Sequence, residues 1–227
     1  MSTIENAINA AKAKAAEATT VNEATQGGAV TVMPSAGVPT RMSAASFLQT
    51  AKVSVDAYLK VSEYGLSIGV DKDLVPDFEA IINLAEVQYC QQIRFGNPVQ
   101  YFKTYDGARC ADGSGRTWTE ALALAKRSDP SKKSDPFVTA DLVIHPVADV
   151  RGNKTQKVMA EAGQSIGHTP SYTGAGEWTK LLKAVEAAQG SPETSRVRVK
   201  ISYEGKTNKA GQSWGVVIFE LLGFVAD

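Results

Sequence analysis

Alternation between apolar and polar positions is the clearest signal along this chain. Ala57 to Ser62 alternates, and Leu66 to Val70 does so again, so both predict strands. Glu63-Tyr64-Gly65 between them suits a hairpin turn. Val99 to Tyr105 and Phe137 to His145 alternate as well, with Val138, Ala140, Leu142 and Ile144 on one face of the latter. In Arg196 to Tyr203 the two faces differ sharply. Val197, Val199, Ile201 and Tyr203 point one way, and Arg196, Arg198, Lys200 and Ser202 the other. Glu204 to Ser213 predicts a hairpin loop. Trp214 to Leu222 predicts the returning strand, apolar on both faces and therefore central or buried.

Helical spacing is rarer. Thr117 to Ala125 predicts a helix, with Thr117 as its cap and Glu120 three residues on completing a capping box. Trp178, Leu181, Leu182 and Val185 predict an amphipathic helix over 178–188, ended by Gly190 and Pro192. Ser43 suits the cap of a short helix carrying Phe47, Leu48 and Ala51, while residues 79–88 fit helix or strand equally. Asp71 to Asp77 and Ser128 to Pro136 are polar connections containing proline.

These elements predict a mostly β (α+β) fold: an oligonucleotide-binding (OB)-like Greek-key barrel with one or two helices. Two domains are expected. Residues 1–42 form a flexible or partly helical tail, Ala-rich at first and then rich in Thr, Gly and Pro, which also suits oligomerisation. Residues 43–227 form the OB-like β domain.

Composition changes this picture little. Apolar residues make up 43% of 227, which is normal for a globular chain. No apolar run reaches the roughly 18 residues of a membrane span, and Met1 to Glu5 lacks the features of a signal peptide, so a cytoplasmic protein is expected. Cys90 and Cys110 are then expected as free thiols. The net charge is zero, but residues 1–89 carry six basic and ten acidic side chains, against eighteen and fourteen in 90–227. That asymmetry is a weak hint of a polyanionic partner for the C-terminal half.

Enzyme chemistry is not evident. His145 and His168 are the only histidines, and with the two cysteines they lack the spacing of a zinc site. Gly107 to Gly115 (GARCADGSG) lacks the Lys-Ser/Thr ending of a phosphate loop and reads as a long connection; Asp129, Asp135, Asp141 and Asp149 read as turn formers and solvated positions. The chain is therefore expected to be non-enzymatic, with no metal and no cofactor.

Proteins that bind single strands combine basic grooves with aromatic platforms, and four clusters fit. Tyr101, Lys103 and Tyr105 share one strand face, which suits stacking and phosphate contact or a half-buried barrel face. Arg116 and Trp118 follow the Gly-rich segment, although a Trp opening a helix belongs to a core more often than to a ligand platform. Lys126, Arg127, Lys132 and Lys133 surround a loop, where a solvated helix end explains them as well. Arg196, Arg198 and Lys200 form a stripe, with Lys206 and Lys209 at the hairpin tip.

The segments Val99 to Gly107, Gly113 to Ala123, Phe137 to Ile144, Gly167-His168 and Lys206 to Val216 with Phe219-Glu220-Leu221 resemble bacteriophage-encoded single-stranded-DNA-binding proteins of the OB fold; Tyr58 to Val61 looks like that family's first strand. The resemblance covers about residues 57–224. It implies coating of single-stranded DNA during phage replication or recombination, with further copies of the chain and replication or recombination proteins as partners. Many such proteins end in an acidic tail. This chain ends Leu222 to Asp227 with one carboxylate side chain, which puts recruitment through that end in doubt. A virion structural or assembly protein is the alternative the same composition allows.

Overall fold

A computed structural model describes residues 55–226 apart from 97, 132 and 133. The expected tail over 1–42, the expected helix from Ser43, and Lys132 and Lys133 lie outside the described residues. The rest is mostly β, with two α-helices among the described residues and one sheet that curls into a half-barrel.

Strands β1 (Ala57–Ser62) and β2 (Gly65–Ile68) form the expected hairpin. The ambiguous stretch resolves into β3 (Phe78–Asn83) and a 3-10 turn (Leu84–Glu86), with Asn83 accepting from Ala85 N–H at its start. An unanticipated strand follows, β4 (Gln88–Phe95), paired with β5 (Gln100–Thr104). Helix α1 (Trp118–Ser128) opens on the expected capping box. Thr117 N–H donates to the Glu120 carboxylate at 2.8 Å, and Glu120 N–H donates to the Thr117 hydroxyl at 3.3 Å. Lys126 and Arg127 in its last turn suit the negative end of the helix dipole.

Then come β6 (Phe137–Pro146), a two-stranded ladder of β7 (Val150–Arg151) and β8 (Val158–Ala160), and β9 (Ile166–His168). His168 thus belongs to a buried strand. Helix α2 (Tyr172–Ala187) begins six residues before Trp178, because Ser171 caps it by accepting from Gly174 N–H at 3.3 Å. In the last hairpin, β10 (Arg196–Thr207) and β11 (Ser213–Phe224) pair as far as Thr207 with Ser213, so the loop is shorter than expected.

The strand order is β11-β10-β3-β6-β9-β1-β2, with β4 on β6 and β5 on β4. Among the described residues, every ladder is antiparallel except β1 with β9. Strand β11 therefore ends the order, so of the expected central or buried placement only burial holds, at Val216, Val217 and Phe219. Near Gly215, which shares a face of β11 with the core residues Val217 and Phe219, the strand meets the β1–β2 hairpin as the sheet curls. A Cβ on Gly215 would lie 2.0 Å from the Ser62 carbonyl oxygen, and the Tyr203 hydroxyl donates to the Glu63 carbonyl. Only glycine at 215 lets the two ends of the sheet approach so closely.

One face of the sheet is covered. Leu59, Ile82, Ile144, Val199 and Ile201 pack with Trp178, Leu181 and Val185 of α2 in the main core. Trp178 meets Phe219 edge-on, with ring centroids 5.6 Å apart. A second core joins Ile93, Phe95 and Phe102 to Trp118, Ala121 and Ala125 of α1.

The opposite face carries the polar side chains. Cross-strand partners share a face, and the ladders link Arg198 to Ile81, Ile81 to His145, Val143 to Gly167 and Gly167 to Tyr58. On the other branch Asp141 pairs with Gln88, Lys103 with Gln92 and Tyr101 with Arg94. Strict alternation places Tyr58, Tyr101, Lys103, Asp141 and the Arg196–Lys200 stripe on this one face. Among the described residues, no helix is long and apolar enough to cross a membrane.

Candidate nucleic-acid interface

The open face holds a cleft of about 240 Å³ lined by β1, β5, β6 and β9. Its centre is Asp141. Lys103 Nζ stands 2.5 Å from Asp141 Oδ1, and Tyr105 donates its hydroxyl proton to Oδ2 at 2.5 Å. The Thr169 hydroxyl also donates to Oδ1, while accepting from Lys103 Nζ at 3.4 Å. Burial pushes the Asp141 carboxyl up, but the bonds from Lys103, Thr169 and Tyr105 outweigh it and hold the group below the usual carboxylate range. Asp141 is therefore ionised at neutral pH. The Tyr105 hydroxyl is raised by burial, and further by its bond to that carboxylate and by the carboxylate's charge. Beneath them, burial pushes the Cys90 thiol up to about 11, so it is a neutral packing group.

Three tyrosines edge the cleft. Tyr58 is 54% exposed, Tyr101 52% and Tyr105 36%. The Tyr58 ring lies against Gly167 of the neighbouring strand, where a Cβ would sit 2.9 Å from a ring carbon. The Gly-rich segment folds as the connection from β5 to α1, and Ala111 and Asp112 in it form a wall of the cleft. It is tied down by Ala111 N–H donating to the Lys103 carbonyl at 2.8 Å and Cys110 N–H donating to the Arg116 carbonyl at 2.9 Å.

The expected site residues divide by place. Tyr101, Lys103 and Tyr105 come together at the cleft. Lys103, however, is paired with Asp141, so its charge is spent inside the protein instead of facing a phosphate. Trp118 is 5% exposed within the second core and presents no face to a base. Arg116 lies over the Phe102 ring at 4.6 Å. Lys126 pairs with Asp135 at 2.5 Å, and Arg127 is exposed. In the β10 stripe, Arg198 pairs with Glu79 and Lys200 with Asp77 at 3.2 Å, both on the solvent side, and Arg196 is half-buried. Lys206 is held between Glu177 and Glu204, 3.4 Å from each, while Lys209 is exposed at the hairpin tip.

Sequence reasoning missed Tyr58, Arg94, Gly167 and Thr169, and took Asp141 for a solvated position. Arg94 is exposed beside Tyr101 and has no ion-pair partner among the described residues. No short motif marks this set, because Tyr105 and Asp141 are 36 residues apart and Lys103 and Thr169 are 66 apart. Among the described residues there is no group of three or more side chains suited to hold a metal ion. Comparison with protein-family models, with curated proteins and with solved structures found no match to this chain.

Proposed function

We propose that the protein binds single-stranded nucleic acid, single-stranded DNA in the first place, on the open face of an OB-like barrel. The observation that carries this reading is the convergence of Tyr58, Tyr101 and Tyr105 on one cleft of that face. Exposed aromatic rings on a sheet suit base stacking, worth roughly 1–3 kcal/mol per base. Arg94 next to Tyr101 suits a backbone phosphate. The β10 stripe on the same face supplies more positive charge, because exposed ion pairs such as Lys200–Asp77 are worth at most about 1 kcal/mol and exchange readily for a phosphate. The protein would act by non-covalent coating, with several copies along a strand, in phage DNA replication or recombination in the host cytoplasm. The test is fluorescence anisotropy with labelled oligo-dT at low salt. Saturable binding at micromolar protein, weakened by added salt, is expected; no binding under those conditions refutes the reading.

A further inference from the structure

We infer that the cleft receives the hydrogen-bonding edge of one nucleobase and rejects phosphate, so that Lys103 reads a base instead of neutralising the backbone. The inference rests on the nucleic-acid reading above and assigns a role to its centre.

Charge argues first. The cleft is lined by one ammonium, Lys103, against two carboxylates, Asp112 and Asp141. A phosphate entering would approach Asp141 as closely as Lys103 and gain nothing from an ammonium already neutralised at 2.5 Å. A neutral ring meets no such penalty.

The supply of donors and acceptors argues second. Asp141 Oδ1 accepts from both Lys103 and Thr169, so its two lone pairs are used. Oδ2 accepts from Tyr105, which leaves one lone pair. Lys103 has three N–H bonds, of which Asp141 and Thr169 take two. One donor on Lys103 and one charged acceptor on Asp141 thus remain, on two side chains in direct contact. Each of the four DNA bases presents an adjacent acceptor and N–H donor on its pairing edge, and a phosphate diester has no donor at all. The network is also fixed before binding, since every member holds another, and that lowers the ordering cost. Tyr58, resting on Gly167, supplies the ring face for a base whose edge reaches the floor.

Two measurements test this. In the wild-type protein, tyrosine ring NMR signals are followed while thymidine or cytidine, and separately inorganic phosphate, is added at millimolar concentration. The nucleosides are expected to shift the Tyr58, Tyr101 and Tyr105 signals, and phosphate to leave them in place. Shifts with phosphate, or none with nucleosides, overturn the inference. The second measurement compares oligo-dT affinity at several salt concentrations for wild type and for Lys103→Met with Asp141→Asn, which removes both charges. About tenfold weaker binding with an unchanged slope of log K against log salt is expected, the loss of one charge-assisted hydrogen bond. A slope shallower by about 0.7, the share of one phosphate contact to a single strand, overturns it. Should the double variant fail to fold, the nucleoside titration decides. If oligo-dT binds while these results go the other way, only the base-edge assignment falls; if oligo-dT does not bind at all, the nucleic-acid reading falls with it.

Discussion

Gly167 supports the ring of Tyr58 from the neighbouring strand: a Cβ at that position would stand 2.9 Å from Cε1 and 3.0 Å from Cδ1 of the ring. The pairing of Gly167 with Tyr58 in the parallel β1–β9 ladder sets this contact. Because the ring is more than half exposed, it can swing outward if crowded. Gly167→Ala is therefore expected to lower the unfolding free energy by no more than about 1 kcal/mol, below the usual range for overpacking a closed core. Oligo-dT affinity should fall about tenfold through the lost stacking platform. A urea titration and an anisotropy titration on the same sample separate the two effects; an unchanged affinity would remove Tyr58 from the interface.

Trp118 and Tyr101 make a contrasting pair. Trp118 packs against Ile93, Phe95 and Phe102, so Trp118→Ala should cost about 3–5 kcal/mol of stability. Tyr101→Ala should cost under about 1 kcal/mol, since half the side chain is in water, yet weaken oligonucleotide binding several-fold. Unfolding midpoints and anisotropy measured on both variants check the pair. Equal losses of stability would contradict the assignment of one to the core and the other to the face.

Acid should destabilise the fold in a defined window. His168 is buried with Nδ1 3.1 Å from the Leu59 carbonyl, and burial lowers its pKa from 6.5 to about 4. Between these values the unfolded chain binds a proton that the folded one does not, so stability rises with pH across the window. The contribution is complete above pH 6.5 and is lost as pH falls towards 4, by about 3 kcal/mol in all and about 2 kcal/mol by pH 5. Asp141 acts lower down: its depressed carboxyl stabilises the fold above the ordinary value of about 3.9, and that contribution is lost as pH falls through the folded value. Urea midpoints at pH 7 and pH 5 should differ for wild type, and the difference should shrink in His168→Gln.

Gly215 tolerates nothing larger. The nearest atom to an added Cβ is the Ser62 carbonyl oxygen at 2.0 Å, followed by Val61 at 2.6 Å and Tyr203 at 2.8 Å. Backbone cannot move aside as a side chain can, so Gly215→Ala should cost about 3 kcal/mol or more, the upper end of the overpacking range. Gly211→Ala, where a Cβ meets nothing but the backbone has φ +78°, should cost about 1 kcal/mol. Thermal unfolding of the two variants distinguishes crowding from backbone strain.

The parts of this fold that were legible in the sequence are those written locally. Alternation over five or more residues marks β1, β5, β6 and β10, and the Thr117–Glu120 capping box marks the start of α1. Strand β4 escapes because glutamines at 88, 91 and 92 put polar side chains on both of its faces. Strands β7 to β9 are two or three residues long, too short for any period to show. The first five residues of α2 include Gly174 and Gly176, which weaken helix propensity, and the Ser171 cap and packing around Trp178 override it. The basic stripe on β10 was visible, but its neutralisation was not, since Arg198 and Glu79 are 119 residues apart in the chain. Likewise Lys103 reads as a free cation until β6 brings Asp141 beneath it.

The close contact at Gly215 bears on how the molecule is made. Strand β1 and strand β11 stand at opposite ends of the described chain, and they meet through the Ser62–Gly215 approach. During synthesis β1 emerges long before β9, its parallel neighbour, or β11, the strand that closes the curl. Until residue 224 has left the ribosome, the half-built sheet offers open strand edges to any other chain. Contacts of such sequence separation also close slowly. The edges that the final hairpin covers therefore stay open longest in the nascent chain, and pairing with other chains competes with folding until that hairpin docks.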